Sequence, residues 1–159
     1  MLDTTSYTES APGDTLGTGK ALGYRLALKD WFWFSAQAEA WLGEGDIYPC
    51  KGGQVLSVDV LPPARPPEYR RPVFLAEARR SFFTKYETFG QGELLRLLFL
   101  RCQDGPKHLW GSPNDNILLL SDQKVALVHW LPAYGLWQLH VTEDLPYIIN
   151  PGTRIFALQ

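Results

Sequence analysis

Cysteine is scarce in this chain: 159 residues hold only Cys50 and Cys102. There is no CxxC pair and no Cys/His cluster, so no zinc framework is legible. A chain of this length buries enough surface to fold without a staple, so the two thiols are expected to be reduced, as in a cytoplasmic protein. Long apolar runs are also missing. No stretch approaches the about 20 residues that a spanning helix needs, which predicts no membrane partner. Met1–Lys20 has no basic start followed by an apolar run, so no secretory signal is expected there. Internal repeats and low-complexity tracts are absent.

Nucleotide-binding loops are missing as well. The segment Leu16-Gly17-Thr18-Gly19-Lys20-Ala21-Leu22-Gly23 has the glycines of a phosphate loop without its chemistry. Asp14 stands where a Walker A loop starts with glycine, and Ala21 replaces the hydroxyl that would hold magnesium. The dinucleotide fingerprint fails on spacing, and no HRD or DFG sequence follows for a kinase-like reading. No cofactor and no metal are expected. Histidine offers little more. His140-Val141-Thr142 matches half of the paired HxT pattern of two-histidine phosphoesterases. His108 and His129 are followed by Leu109-Trp110 and Trp130-Leu131, so the second half is absent. Cys50, in Pro49-Cys50-Lys51-Gly52-Gly53, has a neighbouring lysine that would favour its thiolate, but no family-specific sequence surrounds it.

Aromatics, by contrast, are plentiful: six Trp, seven Tyr and eight Phe. Not all of these fit a core of this size, so some are expected at a binding surface. Charge is unevenly spread. Residues 1–50 hold three basic and seven acidic side chains, and residues 65–101 hold eight basic and four acidic ones. Within the latter, Arg65, Arg70, Arg71, Arg79 and Arg80 fall in 16 residues, with Tyr69 among them. Arginine suits bidentate carboxylate or phosphate recognition better than lysine does. These six residues are the predicted anion- or partner-binding site. The competing reading is a solvated face partly paired with Glu68 and Glu77.

Read for elements, residues 1–19 are polar and lack periodicity, which predicts a flexible tail ahead of a single domain over 20–159. A short strand is expected over Tyr24–Lys29. Asp30 would cap a helix over Trp31–Leu42 that stops at Gly43, although Trp31–Phe34 also suits a strand. Gln54–Val60 alternates as a strand. Leu61–Pro72 carries five prolines and is expected as an extended surface arm. Pro72 would open a helix toward Tyr86. Glu93–Cys102 fits either a helix or a buried strand. Ile117–Leu120 and Val125–Leu131 flank a turn at Ser121–Lys124, Leu136–Val141 extends the meander, and Ile148–Ile149 and Arg154–Leu158 flank Asn150-Pro151-Gly152. The expected fold is α+β, with an antiparallel sheet whose one face carries two or three helices.

Function is expected to be non-enzymatic. The reading is a binding or regulatory protein that docks on another protein, as an accessory, inhibitor or immunity factor of a phage or mobile element would. Two alternatives remain: nucleic-acid binding through the 65–101 segment, and a small hydrolase or transferase built on Cys50 or His140.

Overall fold

The computed structural model describes residues 7–9, 15–45, 47–60, 73–74, 86–102, 116–143, 148–149 and 154–159. Their elements run in the order β1 (Tyr7–Glu9), β2 (Thr15–Leu16), β3 (Gly19–Leu22), α1 (Tyr24–Ala27), β4 (Phe32–Phe34), α2 (Ala36–Leu42), β5 (Ile47–Cys50), β6 (Gly53–Val60), β7 (Val73–Phe74), α3 (Gln91–Cys102), β8 (Asn116–Leu119), β9 (Val125–Leu131), β10 (Leu136–Thr142), β11 (Ile148–Ile149) and β12 (Arg154–Leu158). The main sheet has the order β1-β6-β12-β8-β9-β10-β4, with β2 also on β6. Small sheets pair β3 with β5 and β7 with β11.

The fold is α+β and the sheet is mostly antiparallel, but it is mixed. β4 runs parallel to β10, and β12 parallel to β8. This corrects the expectation of an antiparallel sheet. The meander β8-β9-β10 is antiparallel because its turns are short. The parallel pairs join strands far apart in sequence, as parallel pairing requires a long crossover.

One face of the sheet builds the core. Phe32, Phe34, Leu118, Ala126, Val128, Trp137, Leu139, Val141, Phe156 and Leu158 form one buried cluster with Leu28, the α2 residues Ala38, Trp41 and Leu42, and the α3 leucines. In α3, Leu94, Leu95, Leu97 and Leu98 are all fully buried, and Gly92 and Glu93 are buried beside them. A helix covered on most of its surface loses the apolar stripe that would mark its period, which is why the sequence reads equally as helix or strand.

Three expectations change at the amino-terminal side. Within 1–19, Tyr7–Glu9 and Thr15–Leu16 pair with β6, and Leu16 is buried in the core. Tyr24–Lys29 is helical: α1 and a 3-10 turn over Leu28–Asp30 follow Gly23, whose φ is 72°. Tyr24 stacks on Phe99 of α3 at 4.4 Å. The expected Trp31–Leu42 helix splits into a strand and a helix. Phe32 and Phe34 turn inward and Trp33 outward, as an alternating strand does. Ser35 then caps α2, accepting from the Ala38 N–H at 3.1 Å. Gly43 ends the helix as expected, at φ 78°. Val73–Phe74 pairs with β11 rather than opening a helix at Pro72, and 75–85 lies outside the described residues. Among the described residues no helix is long and apolar enough to cross a membrane.

Candidate binding surface

Sheet register places three rows of side chains on the face turned away from the core. In the middle row, Trp33 of β4 stands beside Gln138 of β10, and Gln138 beside His129 of β9. Toward the β9–β10 turn, Leu136 stands beside Leu131. Trp31 continues this row, its carbonyl accepting from the Trp137 N–H at 2.9 Å. On the other side, His140 stands beside Leu127, and Ser35 Oγ lies 3.0 Å from His140 Nδ1. Tyr134 occupies the adjoining turn.

This face is sealed at one end and open at the other. Leu56, Ile117, Leu119, Val125, Ile155 and Ala157 lie on it and are buried. Across β9 the cover ends. Leu127, His129, Leu131, Leu136, Gln138 and His140 are half-buried. Trp31 is 37% exposed, Trp33 51% and Tyr134 76%. None of the nine residues in the three rows carries a fixed charge. The result is an uncharged aromatic corner with imidazole and amide groups to give hydrogen bonds. Covering the open half of Trp33 removes about 100 Å² from water, which at about 25 cal/mol per Å² stabilises a complex by about 2–3 kcal/mol.

Sequence reasoning left Trp31, Trp33 and Tyr134 out of its site. The signal lay in the strand reading of Trp31–Phe34: alternation there sends Trp33 away from Phe32 and Phe34, and a tryptophan sent outward has no core to enter.

The predicted site is not brought into view. Arg65, Tyr69, Arg70, Arg71, Arg79 and Arg80 all lie outside the described residues. Cys50 is a buried free thiol on β5, donating to the Gly17 carbonyl at 3.3 Å. His140 meets Ser35, but the Ser35 hydroxyl is itself buried and holds the start of α2. The pair is a helix cap tied to a cross-strand histidine, and among the described residues no carboxylate bonds to the ring.

Among the described residues, two cavities lie elsewhere. One, of about 640 Å³, is lined by Arg25, Lys29, Glu39 and Glu44. There the Arg25 guanidinium is already engaged by the Glu39 carboxylate, the Gly43 carbonyl and, at 3.3 Å, the Tyr48 hydroxyl. The other, of about 660 Å³, lies at the start of α3, lined by Lys51, Glu87, Gln91 and Glu93. Compared with family models, with curated proteins and with solved structures, the chain matches none.

Proposed function

We propose that this is a non-enzymatic binding or regulatory protein that docks another protein on the aromatic corner of its sheet. One observation carries the reading: Trp33 and Trp31 are exposed on the same side of β4 and its lead-in, at the open end of a face that is sealed at the other end. Tryptophan and tyrosine are the residues that most often dominate interface energies, and a rim of half-buried leucine excludes water around them. A protein partner is favoured over nucleic acid because the corner holds no lysine or arginine to meet phosphates. Arg65, Tyr69, Arg70, Arg71, Arg79 and Arg80 are proposed as a second contact, toward an acidic patch of the same partner. The reading extends to an accessory, inhibitor or immunity-type role.

The test is affinity capture from native host extract with wild type and with a Trp31→Ala/Trp33→Ala variant, followed by mass spectrometry and sequencing of bound nucleic acid. A defined protein held by wild type and lost from the variant supports the reading. Equal recovery on both overturns it. Salt separates the ligand classes. A protein held by buried aromatics gives a shallow dependence. Duplex DNA would lose affinity at a slope of about −0.9 in log K per phosphate neutralised.

A further inference from the structure

We draw no further inference here: the strongest candidate, the cavity of about 660 Å³ at the amino end of α3, carries nothing because its buried carboxylate, Glu93, is already engaged by the Lys51 backbone N–H at 3.3 Å, and a helix start lined by Lys51 and two acids sets opposing charges around it that favour no one ligand.

Discussion

Helix α3 starts against the backbone of β5, and Gly92 sets how close the two come. A Cβ at this position would fall on the Pro49 carbonyl oxygen and lie 2.8 Å from the Pro49 carbonyl carbon. Both obstacles are main chain, so neither can swing away. Alanine would gain up to about 1 kcal/mol in helix propensity. Forcing the helix from the strand costs about 1–3 kcal/mol, so the clash wins. Gly92→Ala is therefore expected to lower the urea midpoint with an unchanged slope, whereas a raised midpoint would mean that α3 stands farther off. Ser35 gives a second test at this scale. Its hydroxyl caps α2 and meets His140, so Ser35→Ala is expected to lose about 1–2 kcal/mol in the same measurement. Neither residue was legible as structural beforehand. Gly92 reads as a helix breaker beside Gly90, and Ser35 lies in the middle of what looks like one helix from Trp31.

The hairpin β8–β9 shows how an element can be legible while its turn is not optimal. Ile117–Leu120 and Val125–Leu131 flank Ser121–Lys124 as apolar segments, and the strands form as read. The turn, however, puts Asp122 at φ 60° and Gln123 at φ 58°. Two successive left-handed residues define the type I′ turn that suits a twisted hairpin, and Asn-Gly is its preferred pair. Asp122→Asn with Gln123→Gly is expected to raise stability by about 0.5–1 kcal/mol, seen as a higher melting temperature.

The amino-terminal segment behaves in the opposite way. Its composition suggests a tail, because Gly, Thr and Ser carry no period. Yet Leu16 enters the core, and the Arg96 guanidinium of α3 binds the carbonyls of Gly17, Thr18 (3.2 Å) and Lys20 (3.0 Å). Main-chain acceptors held by a distant side chain leave no mark in the local sequence. Deleting residues 1–19 is expected to cost at least the about 1.5–3 kcal/mol of the buried leucine, a drop of several degrees in melting temperature. An unchanged melting temperature would show that β2 adds nothing.

At the scale of the whole molecule, the α+β class and the meander were readable because apolar segments at 117–120 and 125–131 flank a polar turn, and alternation over β10 fixes both strand and face. The mixed sheet was not, since β4 joins β10 and β12 joins β8 through contacts distant in sequence, which no local pattern encodes. The aromatic surplus predicts aromatics at the surface, and Trp31, Trp33 and Tyr134 are exposed. What it lacked was an address, and register supplies one by setting Trp33, Gln138 and His129 in a row at the unsealed corner. The account stands on that corner being covered by a partner protein. Radical footprinting of Trp33 tests it most directly, comparing the free protein with the complex formed with the captured partner. Trp33 is half exposed in the free chain, and its oxidation is expected to fall several-fold in the complex. Oxidation of Trp33 at the same rate in both states would contradict the account.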